Sequence, residues 1–383
     1  MNRAGLVIIQ DRETQFDAPL YALIHQSGRF PLQVVYSTPS DNGCKQDAEL
    51  GFSPGWDHLS SHSYPQRTLH QSGLLDLWRL ARDLCRQKPG LIVICGYYPR
   101  SHLILALLLR LWGQRIGLRS DNTLGHTTFH GLRGKLRKIL VGSVQRLFDT
   151  WHPVGDQAHA YLRVLSGIER PTYRFAYAVD NDWFATKSSK ARSERLKFLQ
   201  QQNWPADAFV VLGIMKWTPR EDPLTLVSAF KLLEREIPNA RLILVGDGPI
   251  RDAVISACRA LGNRVWLPGY MPYSQLPKLY GLANVFVHPA PGEPWGVSVT
   301  EALACGVPVL AAEGVGAAHE LLNDHNCGAL FPNAAVTVLA KQLQTFAYDQ
   351  SGGKDYASAC RKAADQWHYR QTIEAFEHAL TAK

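Results

Sequence analysis

A chain of 383 residues with 46% hydrophobic and 19% charged residues is too long for one ordinary core, which predicts two domains and excludes a disordered chain. The net charge of +8 gathers in residues 1–185, which hold 21 Lys and Arg against 15 Asp and Glu, and calls for an acidic partner: nucleic acid, anionic lipid or a phosphorylated acceptor. Seven scattered cysteines without a Cys-x-x-Cys pair point to a reducing cytoplasm and away from zinc or disulfides, and no run reaches the roughly 18 apolar residues of a membrane span.

Gly5 to Ile9 reads as a first strand that meets charge at Asp11, Arg12 and Glu13 too soon for a signal peptide. A polar loop from Gln10 to Asp17 leads to a helix (Pro19 to Gln26) and a second strand (Leu32 to Tyr36). Residues 37–72 are polar and aperiodic, an excursion with short strands. Leu74 to Arg86 is an amphipathic helix, Leu91 to Cys95 a strand, and Leu103 to Trp112 a helix. Ligands in open α/β sheets bind beyond the carboxyl ends of strands, so Tyr97, Arg100 and His102 fall at the expected cleft. A strand from Arg115 to Arg119 runs into Ser120, Asp121 and, further on, His126. Gly131 to Phe148 is a basic amphipathic helix, with Leu132, Leu136, Leu140 and Val144 on one stripe. Its polar face carries Arg133, Lys135, Arg137, Lys138 and Arg146. Packing on the sheet with a solvated outer face is the favoured reading, and contact with anionic lipid stays open. Asp149 to Val154 closes the series of N-terminal strands, and Ala158 to Leu165 is a helix.

The second half repeats the alternation. Phe209 to Ile214 is a strand leading to Lys216 and Arg220, and Leu224 to Glu236 is a helix. Arg241 to Val245 is a strand ending in Gly246-Asp-Gly248. A strand from Val265 and a helix from Leu276 to Ala283 follow, then a buried strand from Ala283 to His288. A Pro/Gly loop carrying Glu293 precedes a helical pattern from Gly296 to Cys305, which Gly306 ends. Pro308 to Ala311 is a strand, Gly314-Val-Gly316 a glycine loop, and the last helix runs from about Tyr356 to Leu380. Such alternation builds a parallel α/β sheet. Glu293 and Glu301 flank a helix N-terminus at roughly 8–12 Å from each other. An anion seat between two hydroxyl-binding carboxylates suits a sugar nucleotide.

The stretch Glu293-Pro-Trp-Gly-Val-Ser-Val-Thr-Glu301-Ala-Leu-Ala-Cys-Gly306 resembles the Glu-x7-Glu signature of the family 4 (group 1) retaining glycosyltransferases. The resemblance implies an α/β GT-B fold, two Rossmann-like parallel-sheet domains facing each other across a cleft. Residues 1–184 would bind acceptor, with the C-terminal helix (about 356–383) packing back on them, and residues 185–355 would bind donor. Val179-Asp180-Asn-Asp182 then marks the domain crossing rather than a metal site. The implied reaction moves a sugar from a nucleoside-diphosphate sugar with retention, with no cofactor and no metal. Glu301 would hold the ribose, Glu293 the far hydroxyls of the sugar, and Lys216 the departing diphosphate. Gly246 and Gly248 would lie beside the nucleotide, and amides around Gly296, Val297, Gly314 and Gly316 would contact phosphate and sugar.

Two positions depart from the family. Where relatives carry a second basic residue stands Glu221, leaving Arg220 to serve. Where they carry His-Asp stands Ser120-Asp121, so the acceptor-side candidates are Asp121, His126 and His102. A glycan, lipid-linked or small-molecule acceptor is implied, as in polysaccharide or glycoconjugate synthesis. Peripheral contact through Arg133 to Lys138 would fall at the inner face of the membrane. Nucleic acid is not expected, because the basic residues lack aromatic interleaving. A non-catalytic sugar-nucleotide-binding protein and another GT-B enzyme, such as a sugar-nucleotide epimerase, stay open.

Overall fold

The structure, a computed structural model, describes residues 4–38, 47, 49–52, 57, 63–69, 73–125, 129–322 and 326–382. The chain divides into two units, one made of Met1–Asn42, Leu59–Ala178 and Tyr369–Lys383, the other of Gly43–His58 and Val179–His368.

In the first unit, β1 (Leu6–Gln10), β2 (Leu32–Tyr36), β3 (Gln66–Thr68), β4 (Leu91–Cys95), β5 (Ile116–Ser120) and β6 (Thr150–Pro153) form one sheet in the order β3-β2-β1-β4-β5-β6. Every pairing is parallel; Leu6 sits opposite both Leu32 and Leu91. The continuous apolar run of β1 follows from burial on both faces. Leu6 and Ile8 enter one core with Val34, Val93 and Phe376, while Val7 and Ile9 enter the other with Ile92, Leu105 and Leu162. The helices are α1 (Asp17–Ser27), α2 (Leu74–Gln87), α3 (Arg100–Leu111), α4 (Gly131–Gln145) and α5 (Asp156–Ser166).

The second unit opens with α6 (Asn181–Ser193) and α7 (Arg195–Gln201). Its strands are β7 (Phe209–Ile214), β8 (Ala240–Val245), β9 (Val265–Gly269), β10 (Val285–His288), β11 (Val309–Ala312) and β12 (Gly328–Phe331), in the parallel order β12-β11-β10-β7-β8-β9. Between them come α8 (Pro223–Glu236), α9 (Arg251–Cys258), α10 (Leu276–Leu282), α11 (Val297–Ala304) and α12 (Gly316–Leu321), and after them α13 (Val336–Ser351) and α14 (Ala357–Asp365). A last helix, α15 (Tyr369–Thr381), belongs to the first unit. Each sheet thus reverses its strand order once, between β1 and β4 and between β7 and β10.

Four expectations need correction. The C-terminal helix is two helices, because their apolar faces enter different cores: Cys360, Ala363 and Ala364 are buried in the second unit, whereas Ile373 and Phe376 join the core around β1. The chain crosses between units at Ala178 and Val179, where Asp180 caps α6 by accepting the Trp183 N–H at 2.9 Å. The segment Gly43–His58 belongs to the second unit although it lies between strands of the first. Finally, α4 turns its apolar stripe outward at Leu132, Leu136 and Leu140, and only Val144, in its last turn, packs partly buried on the core around Val7 and Ile9. Leu132, Leu136, Ile139 and Leu140 are 85%, 59%, 65% and 58% exposed, while Gly134, Gly142 and Gln145 are buried. The glycines set this orientation. A Cβ on Gly142 would stand 2.1 Å from the Leu165 carbonyl oxygen, so the helix touches its neighbours through backbone and not through leucine.

Candidate active site

In a doubly wound sheet, neighbouring loops part where the strand order reverses, and a crevice opens at the carboxyl ends of those strands. In the second sheet these ends belong to β7 and β10. Beyond β7, the Met215 N–H still bonds the Val245 carbonyl at 3.1 Å, which fixes the direction in which Lys216 leaves the sheet. A turn over Thr218 to Asp222 carries Arg220 and Glu221, and Asp222 then caps α8 by accepting the Thr225 N–H at 3.2 Å. Beyond β10 come His288 and the loop to Glu293, and Gly296, at φ 91°, caps α11 in a conformation that side chains rarely adopt. No side chain caps the start of α11 at Val297, and the Val299 N–H bonds the Gly296 carbonyl at 3.0 Å.

Two cations and four carboxyl groups gather here. Arg220 lies 2.7 Å from Glu221 Oε1 and 3.1 Å from Glu293 Oε2. Lys216 Nζ donates to Asp47 Oδ2 and to Glu49 Oε2, each at 2.8 Å. Burial opposes the charge of Lys216, but these two acids hold its ammonium above the ordinary lysine range. Burial first, and then the Glu293 carboxylate, push Glu221 up to about 7 against the opposing pull of Arg220. Glu221, His288 and Glu293 bring ligand atoms within 4.8 Å of one another, a spacing that could hold a cation, yet Arg220 already supplies one to both carboxylates. The sequence marks Glu221 only as a departure from the family and His288 only as the end of a strand. The signal for His288 is a polar residue ending an apolar strand; it is 3% exposed, and its Nδ1 has no hydrogen-bond partner among the described residues.

Glu301 lies one turn into α11, 5% exposed, with Oε2 accepting the Tyr280 hydroxyl at 2.9 Å. Burial raises its carboxyl to about 7, although the hydroxyls of Tyr280 and Tyr273 oppose the shift. The glycines are packed and bonded within the fold. The Gly314 N–H bonds Asn333 Oδ1 at 3.0 Å and the Gly316 N–H bonds the Glu293 carbonyl at 3.0 Å, so both amides are engaged within the fold. Gly246 and Gly248, at φ 148° and 155°, make room for protein backbone: a Cβ on Gly246 would lie 1.9 Å from the Met215 carbonyl oxygen, and one on Gly248 2.5 Å from that of Trp217.

The first unit has a cavity of about 600 Å³ at its own reversal point, beyond β1 and β4. Asp11, Arg12, Tyr97, Asp121, Arg137 and Tyr177 line it, and Asp121 accepts the Tyr177 hydroxyl at 2.9 Å. Buried Arg119 braces the wall, bonding Asp17 at 3.0 Å and the Phe175 and Ala176 carbonyls at 3.1 Å each. His102, expected on the acceptor side, is not among the residues that line this cavity. It is 1% exposed, with Nε2 2.7 Å from the Ser37 hydroxyl and Nδ1 3.2 Å from the Cys95 and Gly96 carbonyls, and burial lowers its pKa. His126 lies outside the described residues.

Residues 194–367 match the family described as glycosyl transferases group 1. The match lies within the second unit and takes in most of it. Over 203 residues the chain is 28% identical to the GDP-mannose-dependent alpha-(1-6)-phosphatidylinositol monomannoside mannosyltransferase of Mycolicibacterium smegmatis, covering 50% of this chain and 51% of that protein. An uncharacterized glycosyltransferase of Methanocaldococcus jannaschii is 33% identical over 132 residues, 34% of this chain and 33% of that protein. The chain thus matches between a third and about half of the length of these curated relatives. Anabaena HepE, solved in complex with UDP, shares the fold at a TM-score of 0.75 and 19% identity, over 98% of this chain and 99% of that one. The fold is GT-B. Lys216, Arg220, Glu293 and Glu301 all fall within the group 1 match; Asp121, α4 and the Asp47–Glu49 segment fall outside it.

Proposed function

We propose that the chain is a retaining glycosyltransferase of the hexosyl type, moving a sugar from a nucleoside-diphosphate sugar to a glycan, lipid-linked or small-molecule acceptor in polysaccharide or glycoconjugate synthesis. The observation that carries this reading is the pairing of Arg220 with Glu293 ahead of the α11 N-terminus, where the second sheet reverses, with Lys216 on the same loop beyond β7. Negative charge grows on the diphosphate as the sugar departs, and fixed cations with the positive end of a helix dipole stabilise it. Glu293 is suited to sugar hydroxyls and Glu301 to the ribose. In this reading the two basic side chains carry the charge of the leaving group, and transfer needs no metal.

A relative named for GDP-mannose and a structural neighbour holding UDP make both nucleotide classes candidates. A thermal-shift panel of UDP-, GDP- and ADP-sugars, followed by donor-hydrolysis and transfer assays, tests the reading. One nucleotide class should raise the midpoint. Glu301→Ala should abolish donor binding and Lys216→Ala should mainly lower turnover; parental transfer rates in both variants would put the site elsewhere.

The cavity lined by Asp121 and Tyr177 is the acceptor site in this reading. The exposed apolar stripe of α4, flanked by exposed Arg133, Lys135, Arg137 and Lys138, suits the anionic inner face of a membrane. Free thiols at all six described cysteines accord with a cytoplasmic setting. Glu221 and Ser120, which replace basic and histidine residues of relatives, favour a second reading, a non-catalytic sugar-nucleotide binder. Donor binding without hydrolysis or transfer would select it.

A further inference from the structure

The described part of the segment Gly43–His58 lies on the side chains assigned above to the donor diphosphate. Asp47 folds it into a tight turn: Oδ1 accepts the N–H groups of Glu49 at 2.9 Å and Leu50 at 3.1 Å, and the Asp47 carbonyl accepts that of Gly51 at 2.8 Å. Such side-chain-to-backbone bonds are how aspartate organises a turn. This one presents two carboxylates side by side, both 2.8 Å from Lys216 Nζ, with Glu49 also 3.5 Å from Arg220 Nη2. Further along, the Phe52 ring packs edge-on to Tyr270, 5.3 Å away, just past β9, and Asp57 accepts the N–H of Ser274 at 3.2 Å and its hydroxyl. The described residues of the segment are therefore held at three places on the second unit.

The charges do not leave room for a second anion. Lys216 and Arg220 bring two positive charges, whereas Asp47, Glu49, Glu221 and Glu293 bring four carboxyl groups. A diphosphate adds at least two negative charges, and an ammonium has three N–H donors, two of which already point at Asp47 and Glu49. Repulsion between like charges at contact distance is strong wherever water is partly excluded. Diphosphate and the Asp47–Glu49 turn are thus alternative partners of Lys216.

We propose that this turn is a built-in competitor of the donor, an autoinhibitory strap whose two carboxylates take the place of the two phosphates until a nucleotide displaces them. The proposal rests on the donor reading given above. Apparent donor affinity then equals intrinsic affinity scaled by the fraction of molecules with the strap released.

The isosteric double variant Asp47→Asn with Glu49→Gln keeps side-chain oxygens for the turn and removes its charge. Isothermal titration of the full chain with UDP, GDP and ADP should show the bound nucleotide gaining about tenfold in affinity in this variant. Hydrogen exchange of amides 49–52 should accelerate when that nucleotide is added to the parent protein. Equal or weaker affinity in the variant, or exchange that nucleotide leaves unchanged or slows, overturns the strap while the donor reading stands. Failure of all three nucleotides to bind either protein overturns the donor reading, and the strap with it.

Discussion

Glu221 stands against Arg220 with its carboxyl raised to about 7, so it changes charge near neutrality. A diphosphate beside it meets less repulsion when it is protonated, and Arg220 is then freed to turn toward phosphate. Affinity for an intact nucleotide sugar, whose phosphates do not titrate in this range, should rise as pH falls through about 7. Glu221→Gln should flatten that dependence and bind several-fold tighter at pH 8, measured by titration at pH 6 and 8. Glu301 gives a companion prediction on stability. Its folded pKa of about 7 lies above the ordinary carboxylate value, so folding favours the protonated form. That contribution is complete below the unfolded pKa and is lost as pH rises through about 7. Thermal midpoints should therefore fall from pH 5 to pH 8, and fall less in Glu301→Gln, by about 1–3 kcal/mol of stability over the window. Both glutamates were visible in the sequence; their protonation was not, because it depends on burial by residues far along the chain, such as Tyr280 for Glu301.

At the scale of the element, α4 shows how an amphipathic pattern can be read correctly and placed wrongly. The stripe of Leu132, Leu136 and Leu140 is legible, but the small residues Gly134 and Gly142 decide which face meets the protein. Leu136→Glu combined with Ile139→Glu should abolish sedimentation with vesicles of anionic phospholipid. Because both side chains are exposed, folding stability should change by less than about 1 kcal/mol, checked by denaturant titration. Turnover on a soluble acceptor should stay at the parental level. Strands were easier: Leu32–Tyr36, Leu91–Cys95 and Phe209–Ile214 have the bounds that their apolar runs predict, since strands buried on both faces need no partner to reveal them.

For the whole molecule, the units are interlaced along the chain. The first is completed only by Tyr369–Lys383, whose Phe376 packs 4.9 Å from Phe175 and whose Tyr369 hydroxyl bonds the Phe16 carbonyl at 3.2 Å. Ending the chain at His368 should remove Ile373 and Phe376 from the core around β1 and cost several kcal/mol there. Hydrogen exchange should show β1 and β4 losing protection while β7 and β10 keep theirs. A shortened chain with full protection throughout would show that α15 is dispensable to the first unit.

The sequence by itself determined two parallel α/β sheets, the Glu293-to-Glu301 segment at the end of a buried strand, and the basic residues Lys216 and Arg220 after another. Those features are local: apolar runs, turn residues and spacings of a few positions. Tertiary structure alone decided that His102 is locked to Ser37, that the amides of Gly314 and Gly316 are engaged, and that Gly43–His58 joins the second unit. It also decided that Asp47 and Glu49, some 170 positions from Lys216 in the chain, are its partners. Pairings of that kind depend on which surfaces meet when the chain folds, and no short-range pattern encodes them.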